Sequence, residues 1–226
     1  MQIYACFEEA DCNSPSHHHT LGDTVLESVE AFKYLGLMLT SNMSWTKHIE
    51  SKCATARKLL GLLYRRYYKH ASEETFRQLY ISIVRPHLEY AAPVWDPHLQ
   101  KDCDILENVQ KFACRMATKR WDLGYNELLH MLDLPSLSDR RLHLKMCQLY
   151  KIIHQLSHFP PDIVMPKCTR THTNASSILH QPFAHTNSFF YSFIPHSISL
   201  WNALPNEIRL APTLSSFKHN HKVYFL

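Results

Sequence analysis

Four cations, Lys47, Lys58, Arg65 and Lys69, fall within a narrow arc when this stretch is wound at 3.6 residues per turn. Between residues 45 and 70 only Glu50 is acidic, against seven Lys or Arg. Cations unbalanced by carboxylates suit a phosphate backbone, which requires charge at intervals and no reading of bases. An ordinary solvated helix face would give the same pattern, so both readings stand at this point. Covalent chemistry has less support. The chain holds no Asp-Asp pair, no G-x-S-x-G nucleophile turn and no Gly-rich phosphate loop, so no catalytic residue is assigned. Cys6, Cys12, His17 and His19 form the one Cys/His group in loosely metal-like order. Structural zinc prefers Cys pairs two to four residues apart, so neither a metal nor a cofactor is expected. The 17 His form an unusual reserve of charge just below neutral pH.

The totals bound what else the chain can be. Its 226 residues, 45% hydrophobic, suffice for one large domain or two small ones with a real core. Gly is scarce, at 4 residues, and apolar residues recur at helical spacing, which argues for mainly α structure. A net charge of +4 is too small to signal nucleic acid by itself, so the position of charge decides. Seven Cys without a C-x-x-C pair, and no basic and apolar leader after Met1, point to an intracellular setting, cytoplasmic or nuclear, and not to secretion. No uncharged apolar run approaches the roughly 18–20 residues of a membrane span.

The elements that must position the cations follow from periodicity and caps. Leu21 to Val25 suggests a tight turn between short extended pieces. A hairpin is expected from Val29–Tyr34 and Leu37–Thr40, with Gly36 supplying positive φ at the turn. Ser44 should cap a helix reaching about Lys69, its seam formed by Trp45, Ile49, Cys53, Ala56, Leu60, Leu63 and Tyr67. Ser72 should cap a second, burying Phe76, Leu79, Tyr80 and Ile83 and ending or kinking near Val84 and Arg85 because of Pro86. A third spans about Leu99–Arg120, with Ile105, Leu106, Val109, Phe112, Ala113 and Met116 inward. A short helix near Tyr125–Leu132 precedes one capped by Ser138, which turns Leu142, Met146, Leu149, Ile153 and Leu156 to one side. Phe159-Pro160-Pro161 then breaks the pattern. Short extended pieces and small helices near Pro195–Leu204 and Leu214–Val223 should follow. Trp95 and Trp201, among apolar neighbours, read as core anchors, while an exposed Trp would be the one to stack on an unpaired base.

Several blocks stand in a fixed order: Phe32-Lys33-Tyr34-Leu35-Gly36, Ser44-Trp45, Arg57-Lys58-Leu59-Leu60-Gly61, Val84-Arg85-Pro86-His87-Leu88-Glu89-Tyr90 and Val94-Trp95-Asp96-Pro97. Leu106-Glu107-Asn108-Val109-Gln110-Lys111-Phe112-Ala113, Gln181-Pro182-Phe183-Ala184 and Ser199-Leu200-Trp201-Asn202-Ala203-Leu204-Pro205 continue the set. Together they resemble the thumb and post-thumb region of reverse transcriptases of non-LTR (LINE-type, jockey-like and chicken-repeat-like) retrotransposons. The resemblance covers nearly all of the chain after about residue 20. It implies an RNA-directed DNA polymerase whose thumb helices track the template–primer duplex. It also implies a primer-grip-like hairpin at Lys33, Tyr34, Leu35 and Gly36. Such polymerases hold two magnesium ions on a palm with an aromatic-x-Asp-Asp turn, and no such turn occurs here. Met1 to about Asn13 also departs from the family pattern.

The resulting expectation is a mainly α chain in three parts. Residues 1–43 would carry a palm remnant with the hairpin, 44–158 a helical thumb-like bundle, and 159–226 a smaller irregular module. Its function would be non-catalytic binding of RNA, or of an RNA–DNA or DNA duplex, through Lys47, Lys58, Arg65 and Lys69, with no membrane partner. The rival readings are a helical protein-interaction module, with its partner at the face left by the palm, and a relic without selected function.

Overall fold

The computed structural model describes residues 20–21, 24–25, 29–160, 163–166 and 178–225. Two small antiparallel hairpins open it. β1 (Thr20–Leu21) pairs with β2 (Thr24–Val25), and β3 (Ala31–Tyr34) pairs with β4 (Leu37–Thr40), with Tyr34 opposite Leu37. Leu35 and Gly36 both have positive φ, 46° and 82°, as a two-residue type I′ turn requires. The remainder is helical, so the chain is mainly α with a small N-terminal hairpin.

The N-cap of α1 (Thr46–Tyr67) is Trp45, without a side-chain cap, and not Ser44; Ser44, one residue earlier, accepts the Thr46 N–H through its hydroxyl at 3.3 Å. Its seam of Ile49, Cys53, Ala56, Leu60 and Leu63 is buried, chiefly against α5 (Gln100–Thr118). Tyr67 departs from that seam and lies 43% exposed at the last residue of the helix.

α2 (Glu73–Leu79) is capped by Ser72 as its sequence indicates. Pro86 neither ends nor breaks the helix. A π-helical turn at Tyr80–Val84, in which the Arg85 N–H reaches back to the Tyr80 carbonyl, absorbs the ring, and the chain continues as α3 (Arg85–Glu89). The wider turn keeps residues four apart in phase. Phe76, Tyr80, Val84 and Leu88 are therefore all buried, while Ile83, expected inward, is exposed. α4 (Ala92–Trp95) is a single turn that drives Trp95 fully into the core. On α5 the buried arc centres on Leu106, Val109, Gln110, Ala113 and Ala117, which pushes Phe112 out to 44% exposure against expectation.

α6 (Tyr125–Met131) lies where its pattern placed it. The cap of α7 (Leu137–Ile153) is Ser136 and not Ser138: its hydroxyl accepts the Asp139 N–H at 3.0 Å. Leu156 falls beyond the helix end and is exposed.

Two apolar cores result. The first joins α1 to α6 and closes at Leu137. The second gathers Met146, Leu149 and Tyr150 of α7 with Leu179 and the helices α9 (Phe193–Ala203), α10 (Asn206–Arg209) and α11 (Leu214–Phe225). α8 (Asn187–Phe190) adds one turn against α9. The second core thus reaches back across the Phe159–Pro160 break, with α7 serving both. Outside the two hairpins, extended pairing among the described residues is a single bridge, Pro166 to Leu179. Among the described residues no helix is long and apolar enough to cross a membrane.

Candidate nucleic-acid interface

The cations of α1 owe their placement to the seam behind them. Burying Ile49 through Leu63 against α5 turns the opposite side outward, and Lys47, Lys58, Arg65 and Lys69 are all exposed. At about 1.5 Å per residue, Lys47 to Arg65 spans roughly 27 Å. Lys69 lies two residues past the last helical residue, in a turn closed by the His70 N–H on the Tyr67 carbonyl. No carboxylate pairs with any of the four among the described residues. At its N-terminal end the row opens onto a cleft of about 490 Å³, lined by Lys47 and Lys101, by Glu30, and by the polar residues Ser41, Asn42 and Thr46.

The β3–β4 hairpin is held to the bundle rather than to this row. The Tyr90 hydroxyl donates to the Leu35 carbonyl at 3.0 Å, and the Met38 N–H donates to Nδ1 of His48 at 3.2 Å. Gly36 is needed for its positive φ; a Cβ there would stand in van der Waals contact, 3.4 Å, with the Tyr90 ring. Leu35 points away, 72% exposed, and Tyr34 is half-buried. Lys33, on the strand face opposite Tyr34, is exposed and lies near Lys52. Lys52 is held below the usual lysine range by burial and then by the charge of Lys33, and its ammonium sits 5.2 Å from the centre of the Tyr90 ring. On the helical wheel Lys52 stands roughly 100–140° from the Lys47 arc. The structure therefore gives two separate cationic places, the row on α1 and the Lys33–Lys52 pair beneath the turn.

Behind these surfaces lies a polar interior that the sequence does not announce. Asp96 accepts from Arg141 Nε at 2.9 Å and pairs with Lys145 Nζ at 2.6 Å, both cations being 1% exposed. Glu89 is gripped by Arg140 and flanked by Arg85 at 3.6 Å. Glu107 caps α7 by accepting the Ser138 N–H at 2.7 Å and also takes the Tyr125 hydroxyl. The Tyr80 hydroxyl donates to Gln110 in the first core. These groups fix the helices; the acids nearer the outer face of α1, Glu50 on the helix and Glu30 in the cleft beside Lys47, form no ion pair with the four cations among the described residues.

Trp95 and Trp201 are buried, as their apolar neighbours indicate. The exposed Trp is Trp121, which follows α5 among Lys119, Arg120 and Asp122, and that charged setting was its one sequence signal. The Cys6, Cys12, His17 and His19 group lies outside the described residues. Among the described residues, no group of three His, Cys, Asp or Glu is placed to hold a metal ion. Compared with protein-family models, curated proteins and solved structures, the chain matches none.

Proposed function

We propose that this chain binds nucleic acid through the outer face of α1, as the thumb part of a LINE-type reverse transcriptase, and performs no nucleotidyl transfer by itself. One observation carries the reading: Lys47, Lys58, Arg65 and Lys69 stand exposed in one row with no carboxylate partner among the described residues. Solvated helices usually interleave acids with such bases, since pairs four residues apart add support. A phosphate backbone supplies the missing negative charge from outside and releases its counterions in exchange. The ligand is RNA, or an RNA–DNA or DNA duplex, recognised by charge and without base reading. The ordered blocks resembling the thumb region support the assignment to that family. The absence of an Asp-Asp pair from these residues supports the lack of transfer chemistry, which requires carboxylates on two metal ions.

Replacing Lys47, Lys58, Arg65 and Lys69 by Gln preserves helix propensity and removes four cations. The slope of log affinity against log salt should flatten by about 0.9 per lost phosphate contact, somewhat under four in all, and equally for unrelated sequences. Equal slopes for two equally helical proteins would end this reading.

A second reading rests on the hairpin, where Val29, Phe32 and Leu35 are 50%, 59% and 72% exposed. Apolar side chains gathered at one edge suit a protein partner packed on β3 and β4.

A further inference from the structure

The C-terminal end of α1 and that of α5 meet in a cluster of rings and cations that neither core uses. Tyr64 and Tyr68 lie one turn apart on α1, their ring centres 4.3 Å from each other. The Lys119 ammonium stands 5.4 Å from the centre of the Tyr68 ring. Two residues on, Trp121 receives the Arg115 guanidinium at 5.9 Å and meets the Phe112 ring edge-on at the same distance. Trp121, Tyr64 and Phe112 are 51%, 44% and 44% exposed.

Rings of this size normally contribute by leaving water, so leaving three half in solvent forgoes stabilisation. The backbone adds to the cost. Lys119 ends α5 at φ +58°, a left-handed position that favours Gly, and the turn it makes carries Trp121 back over Arg115. Neither Arg115 nor Lys119 has a carboxylate partner among the described residues, and Nε of Arg115 is buried without a hydrogen bond. The nearby acid, Asp122, is taken by Arg120 at 2.9 Å. The cluster thus offers flat apolar faces beside positive charges that lack counter-charges.

We infer that this cluster is a stacking platform for unpaired bases of single-stranded nucleic acid, with Tyr64 and Trp121 as the outer rings and Arg115 and Lys119 as its phosphate-side cations. Every base has a π face, so rings accept any sequence, whereas in a duplex those faces are already covered by neighbouring pairs. A protein partner would have to place carboxylates beside its apolar side chains, whereas every nucleotide carries a π face and a phosphate together. On the wheel of α1, Tyr64 and Tyr68 lie on the flank adjoining the Lys58–Lys69 arc. A strand with phosphates along the arc would turn its bases toward the rings. The inference rests on the nucleic-acid reading of α1 for that backbone contact, and it adds the ligand class: a single-stranded segment, free or overhanging a duplex.

The test compares a 12-nucleotide single strand of mixed sequence with a blunt duplex of equal length, using the full chain. Tyr64→Leu and Trp121→Leu keep apolar bulk at exposed positions and remove the ring face. Each should weaken single-strand binding roughly 5- to 150-fold, the range for one lost base stack, and leave blunt-duplex binding within about twofold. Trp121→Phe should retain most of the affinity, which a loss of local packing alone would not explain. Binding of the single strand should quench the Trp emission of the wild type and of Tyr64→Leu, but much less that of Trp121→Phe, since Trp95 and Trp201 are buried and Trp45 packs partly buried against the first core at the opposite end of α1. Unchanged single-strand affinity in helical Leu variants, or equal loss on the blunt duplex, overturns the platform. So does a wild type that binds only duplex. The outcomes stay separate from those of the α1 row. A flattened salt slope in the four-Gln variant with inert Leu variants removes the platform alone. Active Leu variants with an unchanged slope remove the row alone.

Discussion

His48 shows how a single side chain can tie two elements and set a pH limit. It is 1% exposed, lies 5.3 Å from the Trp95 ring, and accepts the Met38 N–H through Nδ1, which requires the neutral imidazole. Burial, and then the charge of Lys52, lower its pKa to about 4. His221 is lowered to the same value by burial and then by His143, whose Nδ1 lies 3.2 Å from its own. In the unfolded chain both return to about 6.5 and bind protons first as the pH falls. Stability is therefore full above about pH 6.5 and is lost progressively down to about pH 4, by at most about 3 kcal/mol for each group. Melting temperatures measured from pH 7.5 to 4.5 should fall, and His48→Gln should reduce that dependence. An unaltered slope in the variant would remove His48 as a cause.

Among the elements, the β3–β4 hairpin has a turn that contains two opposed opportunities. Leu35 holds φ +46° without the freedom of Gly or the tolerance of Asn, and its side chain is 72% exposed. Leu35→Asn should therefore raise stability by about 0.5–1 kcal/mol, since type I′ turns favour Asn there. Gly36→Ala should lower it by about 1 kcal/mol, because φ is +82°, a left-handed position that a Cβ disfavours. Hydrogen exchange at the Met38 amide, which reports the bond to His48, should slow in the first variant and quicken in the second. The same direction in both would contradict the turn assignment. The helix from Glu73 to Glu89 carries a parallel lesson. Its apolar residues were legible, but Pro86 reads locally as a stop, and only the need to bury Val84 and Leu88 together favours a π turn over a break.

At the scale of the whole molecule, α7 couples the two cores, and Asp96 is the charge on which that coupling turns. One carboxylate at the end of α4 faces Arg141 and Lys145, both buried on α7, and Lys145 lies 3.1 Å from His196 of α9. Asp96→Asn would leave the buried Lys145 without its counter-charge and Arg141 with only Glu107 at 4.0 Å, and should cost about 3–5 kcal/mol in chemical denaturation. Adding Lys145→Met should recover part of that loss, a non-additivity expected of side chains that share one partner. A cost under about 1 kcal/mol, or strict additivity, would show that the network does not join the cores.

The sequence alone determined the helical class, the ends of most helices and the outward row on α1. These depend on periodicity, caps and propensity, which act within a turn or two of each residue. The tertiary structure decided matters that depend on distant partners. Arg141 and Lys145 are buried against Asp96, more than 40 residues earlier, with Glu107 also facing Arg141. Tyr67 and Phe112 satisfy the local spacing of a seam, yet they lie 43% and 44% exposed, because the packing partners that the seam meets bury the residues beside them instead. Trp121 gained its neighbours Arg115 and Phe112 from the left-handed turn at Lys119, a backbone state that a Lys in sequence does not announce.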